Sequence, residues 1–323
     1  MTNKIQTYDV VIAGQGAAAF SAGMYAARYQ IKPIIIGETF GGETAIGGLI
    51  ENYPGYPEID GFDLMMKFRE STDKYDVPVV DDKVISISKH GDCFEIDTAG
   101  DDKYLAVSVI LAVGRERRTL NLQHEEEWTG RGVSYCSVCD APLHRGNTVS
   151  VVGGGDSAVK GATLLSKYAD KVYIIYRKES FTRPEPVNLR HLEESKNIEA
   201  IFGTNVKELK GVDGLQSIVL DRKHNGTNEI EVDGIFIEIG ADPRIDLAKQ
   251  LNIELNDIEE IVVDKMGRTN VNGILAAGDV TDASGDLKQT ITAASQGALA
   301  ATASYEWVSA HPNACEWHAK NVA

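Results

Sequence analysis

One pattern occurs twice along this chain and narrows its possible folds more than any other feature. The apolar run Tyr8-Asp9-Val10-Val11-Ile12-Ala13 leads directly into Gly14-Gln15-Gly16-Ala17-Ala18-Ala19. About 140 residues later, Asn147-Thr148-Val149-Ser150-Val151-Val152 leads into Gly153-Gly154-Gly155-Asp156-Ser157-Ala158. Each apolar run reads as a strand and each glycine cluster as a turn. The sequence beyond reads as a helix, over 18–29 and 159–168, followed by a second strand at 33–36 and 172–176. In Gly-x-Gly-x-x-Ala, the first glycine permits a tight turn and the second lets the backbone approach a pyrophosphate. The final small residue lets helix and strand pack closely. The helix start then offers unpaired N–H groups and a positive dipole end. The chain has 323 residues, more than a single core usually spans. The expected fold is α/β, with two Rossmann-like (three-layer ββα) nucleotide-binding domains.

Further strands are expected at 109–114 and 273–280, the second ending in Gly278-Asp279, and a long Ala-rich helix at about 289–308. Apolar and polar residues alternate over 83–98 and 205–232, which predicts an antiparallel meander inserted in each unit. Polar breaks at Arg115-Glu116-Arg117-Arg118 and Gly240-Ala241-Asp242-Pro243 mark the boundaries. The second domain, 118–243, is therefore expected as an insertion in the first, 1–117 with 244–323.

At the end of the second strand of a ribose-binding unit an acid is expected, and Glu38 is the candidate. The equivalent position of the second copy has Tyr176-Arg177-Lys178 instead, with Arg183 beyond. Cations there suit the 2′-phosphate of NADPH better than the bare ribose of NADH; ordinary exposed cations are the alternative. Cys136-Ser137-Val138-Cys139 is the sharpest chemical signal. Two cysteines at this spacing can close a small disulfide ring and lower one thiol's pKa. Structural zinc would need four ligands, usually two such pairs, and the sequence has no second CxxC. No metal is expected. Asp140 follows directly and is a candidate to deliver the proton that thiol–disulfide exchange requires; a turn or helix-cap aspartate is the alternative. Cys93 and Cys315 read as plain packing or exposed cysteines without partners.

A formal net charge of −16 argues against nucleic acid or an anionic membrane surface as partner. The acidic residues are spread along the chain, as on a solvated surface, though they could also steer a basic protein partner. No apolar run reaches the roughly 18–20 residues of a spanning helix. Met1-Thr2-Asn3-Lys4-Ile5 lacks the apolar stretch of a secretory signal, so a cytoplasmic location is expected.

Two dinucleotide turns flanking one CxxC resemble the low-molecular-weight thioredoxin reductase family. The resemblance spans nearly the whole chain. It rests on Gly41-Gly42-Glu43-Thr44, Glu51-Asn52-Tyr53-Pro54-Gly55, the run from Gly130 to Asp140, Gly153 to Ala158, Ala276-Ala277-Gly278-Asp279-Val280 and Gln289-Thr290-Ile291-Thr292-Ala293-Ala294. The Cys-Ser-Val-Cys-Asp-Ala-Pro run is most similar to archaeal members. The resemblance implies FAD along Gly14, Gly16, Ala17, Gly37 and Glu38, with Gly42, Glu43, Thr44 and Asn52 near the flavin. It adds Val84, Gly114, Gly278, Asp279, Lys288, Gln289 and Thr290 to the FAD set. It assigns NADPH to Gly153, Gly155, Asp156, Ser157, Arg177, Lys178 and Arg183. Cys139 would face the flavin, Cys136 would attack the disulfide of a thioredoxin or thioredoxin-like protein, and Asp140 would be the acid/base. The resemblance further implies a homodimer and a rotation between domains about linkers near 115–118 and 241–244.

The chain departs from the family pattern in four places. Glu43 stands where Gln is usual, Ala18 where Pro is common, and Lys288 where Arg is usual. Tyr176-Arg177-Lys178 replaces His-Arg-Arg, and Arg183 falls one place late, before Pro184. NADPH is the expected donor, with NADH or ferredoxin as alternatives. A dithiol oxidase remains an alternative enzyme, and a flavin redox sensor the non-enzymatic reading.

Overall fold

The computed structural model describes residues 5–312, 314 and 315. Met1-Thr2-Asn3-Lys4, part of the stretch read for a leader, lie outside the described residues. The chain forms two compact units. One runs up to Glu116 and resumes at Pro243, and the other occupies Arg117–Asp242.

In the first unit, strands Val79–Asp81, Pro33–Gly37, Gln6–Ala13 and Lys103–Leu111 pair in parallel in that order. The residues of these strands alternate between two cores. Val10, Ile12, Ile35 and Ile110 enter one with the helices Ala17–Arg28 and Thr290–Ala310. Val11, Ala13, Ile34, Ile36, Val109 and Leu111 enter the other, with Phe94, Ile245 and Leu247. A strand covered on both faces has to be apolar at every position, which explains why Val10 to Ala13 reads as an unbroken apolar run. Strand Lys103–Leu111 is shared along its length. Its C-terminal end pairs in parallel with Ile274–Ala276, and its N-terminal half pairs antiparallel with Cys93–Thr98, which continues to Val84–His90. The hairpin expected as an inserted meander is thus part of the main sheet in this unit.

The second unit has five strands in parallel, ordered Val133–Ser134, Gly234–Ile237, Thr148–Val152, Lys171–Ile175 and Ile198–Ile201. Its meander, Val206–Gly211, Leu215–His224 and Thr227–Glu231, is a separate antiparallel sheet. The expected α/β class with two Rossmann-like domains is borne out. The helices Gly61–Asp73 and Pro186–Glu194 had no sequence expectation. Asp60 caps the first of these by accepting from the Phe62 N–H at 2.9 Å.

Cys93 and Cys315 require a correction. Read as unpartnered, they form a disulfide with a Cα–Cα distance of 5.7 Å, and both are buried. The chain beyond the helix Thr290–Ala310 returns to the hairpin end of Cys93–Thr98, bringing together two residues 222 positions apart. Separation along a sequence carries no signal for such a contact.

Candidate dinucleotide sites and redox centre

Gly14 adopts φ +123°, and a Cβ there would lie 2.2 Å from the Ala112 carbonyl oxygen. The strand Lys103–Leu111 thus passes directly behind the turn, and only glycine fits. Gly16 begins the helix Ala17–Arg28, and nothing lies within 4 Å of where its Cβ would be. Among the described residues no side chain caps this helix, and no acid lies in its first turn, which leaves its first amides free of an adjacent carboxylate. Gly37 backs onto the turn, since its Cβ would lie 2.8 Å from the Gln15 nitrogen. Gln15, which the sequence reading passed over, ties this corner together. Its side-chain amide donates to the Gly37 carbonyl at 2.8 Å and to Asp81 Oδ1 at 2.7 Å, while its buried Oε1 has no partner among the described residues. Glu38 lies at the exposed rim, 3.4 Å from Arg244 and 3.8 Å from Lys83.

Distant segments of the chain converge on this helix start. Gly42 lies beside Gly16, and Gly278 beside the Ala18 methyl. Thr44 and Thr290 share a hydroxyl hydrogen bond of 3.0 Å, and Asn52 donates to Gln289 Oε1 at 3.1 Å. The Gly114 carbonyl accepts from the Arg244 N–H at 3.1 Å. Val84 is buried in the core, so any ligand contact there would be through its main chain.

Asp279, Lys288, Arg115 and Glu260 form a charged cluster. Glu260 is buried, and its Oε1 is 2.9 Å from Lys288 Nζ and 3.1 Å from Arg115 Nη1. Burial would push its carboxyl up, but Lys288, Asn256 and Arg115 outweigh that and hold it below its usual value. Burial pushes Asp279 above its usual value despite Lys288 and Arg115, and Glu43 and Glu260 add to the rise. Neither Arg115 nor Glu260 was expected as a site residue. Glu260 lies in the run Asp257-Ile258-Glu259-Glu260-Ile261, where nothing sets it apart from its acidic neighbours. An uncapped helix start, an open glycine and a desolvated carboxyl suit an extended ligand bearing phosphates and hydroxyls.

The second turn repeats the first. Gly153 has φ +143°, and a Cβ there would lie 2.2 Å from the Glu238 carbonyl oxygen. Gly155 starts the helix Asp156–Leu165 without a side-chain cap. Asp156 Oδ1 accepts from the Glu185 N–H and from Asn188 Nδ2, both at 2.8 Å, tying the helix Pro186–Glu194 to the turn. Ser157, Arg177, Lys178 and Arg183 are exposed. Tyr176 packs against Gly154, and its hydroxyl is hydrogen-bonded to that of Thr182.

Cys136 and Cys139 form a disulfide with S–S 2.09 Å and Cα–Cα 5.3 Å. Cys136 caps the short helix Ser137–Asp140, its Sγ accepting from the Cys139 N–H at 3.1 Å. That bond would stabilise a Cys136 thiolate after reduction. Cys139 is exposed, whereas Cys136 and Asp140 are half-buried. Two acids unnoticed in the sequence hold this loop, Glu125 buried and Glu238 half-buried. Ser137 donates to Glu238 Oε1 at 2.9 Å, joining the cysteine loop to the residue behind Gly153. Tyr135 donates to Glu125 Oε1 at 2.7 Å, and burial followed by that bond pushes its phenol well above the usual range. The structure thus gathers the FAD candidates in the first unit and joins the cysteines to the second glycine turn in the other.

A family model described as pyridine nucleotide-disulphide oxidoreductase matches residues 8–297. A thioredoxin reductase of Treponema pallidum is 36% identical over 304 residues, 93% of this chain and 97% of that protein. The chain belongs to the thioredoxin reductase branch of that family. Among solved structures, the thioredoxin reductase of Lactococcus lactis has TM-score 0.87 at 37% identity, covering 94% of this chain and 99% of that one. The thioredoxin reductase of T. acidophilum has TM-score 0.85 at 35% identity, covering 93% and 98%. The resemblance stated from the motifs is borne out. Among the described residues, no helix of this family member is long and apolar enough to cross a membrane.

Proposed function

We propose that the chain is an FAD-dependent thioredoxin-disulfide reductase, passing electrons from NADPH through the Cys136–Cys139 disulfide to a thioredoxin-like protein. The observation that carries this reading is the closed Cys136–Cys139 pair, tied through Ser137 and Glu238 to the Gly153 turn. FAD would lie against Gly14, Gly16, Ala17, Gly37, Glu38, Gly42, Glu43, Asn52, Val84, Gly114, Gly278, Asp279, Lys288, Gln289 and Thr290. NADPH would lie against Gly153, Gly155, Asp156 and Ser157, with Arg177, Lys178 and Arg183 at its 2′-phosphate. When bound, FAD supplies a carrier that accepts hydride from the nicotinamide and delivers an electron pair to a disulfide.

The residues of the chain then do the following. The electron pair enters at Cys139 Sγ, the Cys136–Cys139 bond breaks, and Cys136 leaves as a thiolate next to the Cys139 N–H. Cys136 attacks the partner disulfide and expels one partner sulfur, which takes a proton held by Asp140. Cys139 then attacks Cys136 Sγ and expels the second partner sulfur, which takes its proton from solvent, so the partner leaves as a dithiol and the ring is restored. The chain crosses between units inside the strands Arg115–Arg117 and Ala241–Pro243, which would act as hinges for a rotation between half-reactions. A cytoplasmic homodimer completes the reading. Its support is an apolar face on the packed helices Ala17–Arg28 and Thr290–Ala310, where Tyr25, Ile291, Leu299 and Tyr305 are exposed.

Anaerobic titration with NADPH and, in parallel, with NADH tests the donor. Bleaching of the flavin band by NADPH is expected, and failure of both nucleotides would point to ferredoxin or another donor. Cys136→Ser should abolish turnover with every thioredoxin-like protein tried while the flavin still bleaches. Wild-type turnover by that variant would overturn the mechanism.

A further inference from the structure

The first unit is built from two stretches of chain interrupted by the whole of the second unit. Cys93 belongs to the first stretch and Cys315 to the second, and their disulfide is the covalent link that closes one stretch onto the other. It sits in a dry environment. Cys93 is 1% exposed and Cys315 5%, and both belong to the apolar core that contains Val107, Leu275 and Val308. The end of the long helix is fastened to the same place. Trp307 Nε1 donates to the Val107 carbonyl at 3.2 Å, and the rings of Trp307 and His311 stack 3.7 Å apart. The Cys136–Cys139 ring contrasts with this, having an exposed cysteine, only two residues between its cysteines and an N–H placed to donate to a thiolate.

We infer that the protein carries two disulfides of opposite character, and that Cys93–Cys315 is a permanent staple of the discontinuous unit, shielded from the thiol chemistry at Cys136 and Cys139. Thiol–disulfide exchange requires a thiolate to reach a sulfur in line with the bond it breaks, and a sulfur buried among apolar side chains offers no such approach. For a protein of a disulfide reductase family this burial has a purpose: a staple exposed to reduced partners would be opened by them. The bond forms before the core closes. The Cys93 and Cys315 thiols give two protons and two electrons to a low-molecular-weight disulfide, whose S–S bond breaks as theirs forms, leaving two small thiols. Closing so long a loop constrains the unfolded chain far more than the redox ring does.

Thiol counting by maleimide labelling and intact mass, with peptide mapping, tests this on the full-length holoenzyme. Four conditions are compared: native, native after dithiothreitol, denatured without reductant, and denatured with reductant. The expected counts are none, two, none and four, with the two labels of the second condition on Cys136 and Cys139. Labelling of Cys93 or Cys315 in denatured, unreduced protein would show that the staple never forms. Their labelling in native, reduced protein would show that it is not shielded. No nucleotide enters these conditions, so the result is independent of whether NADPH is the donor. The Cys93→Ser/Cys315→Ser protein should keep its flavin and melt about 5–10 °C lower than wild type. An unchanged melting temperature would also overturn the staple, and if the variant fails to fold the wild-type counts still decide.

Discussion

Glu260→Gln isolates the buried charge cluster of the first unit. The wild-type carboxylate sits 2.9 Å from the Lys288 ammonium and 3.1 Å from the Arg115 guanidinium. At an effective dielectric of about 20, each attraction is worth about 5–6 kcal/mol gross, and removing the carboxylate from water takes back several kcal/mol. Removing one partner of a buried pair ordinarily costs about 3–5 kcal/mol. The amide oxygen of Gln can still accept one of these bonds, and Lys288 and Arg115 keep some contact with water. The Gln NH2 would, however, face Asn256 Nδ2, which donates to Glu260 Oε2 at 3.2 Å. The expected net loss is about 2–4 kcal/mol, read as the urea midpoint of the first unit's unfolding at neutral pH. The pH dependence is fixed in sign. The folded pKa of Glu260 is depressed, so its stabilisation is complete above the unfolded value and disappears as pH falls through the folded one. The gap between wild type and variant should therefore be full at neutral pH and close in acid. A gap below about 0.5 kcal/mol at neutral pH, or one that does not change in acid, would refute the reasoning.

Asp279→Asn should act in the opposite direction. The Asp279 carboxyl is raised by burial, so its ionisation costs stability above the unfolded pKa, and the asparagine variant without FAD should melt higher than wild type at neutral pH but not in acid. Equal melting at neutral pH would count against that. Gly153→Ala would force a Cβ to within 2.2 Å of a carbonyl at φ +143°, with an expected cost of about 2–5 kcal/mol in thermal or urea unfolding. Gly155→Ala meets nothing nearer than 3.9 Å, so it should fold with near wild-type stability and show its effect as weakened binding of the pyridine nucleotide. Equal stability losses in the two variants would remove the distinction between a turn glycine and a contact glycine.

The legible parts of this protein were the local ones. Val10 to Ala13 and Val149 to Val152 read correctly as strands because burial on both faces leaves an unbroken apolar run, and the turns read correctly because glycine is required where φ is positive and a carbonyl lies behind. Cys136 and Cys139 were legible because a three-residue spacing nearly dictates their contact. The hairpin Val84–Thr98 was read as an insertion, since alternation reveals a strand but not its neighbours; it shares Lys103–Leu111 with the parallel strands. Glu238, Glu125 and Glu260 were missed because an acid drawn into a buried or half-buried hydrogen bond looks like any other acid until its donors are known.

The sequence by itself determined the family, the two glycine turns and the redox pair, because each leaves a short motif to read, even where, as at Gly14 and Gly153, the carbonyl behind the turn comes from a distant residue. Only the tertiary structure decided which acids lose their water, how Gln15 ties Gly37 and Asp81 to the first turn, and that Cys93 meets Cys315. Those outcomes depend on contacts across tens to hundreds of residues, where the partner of a side chain is chosen by the packing of the whole unit and leaves no periodicity or spacing to read.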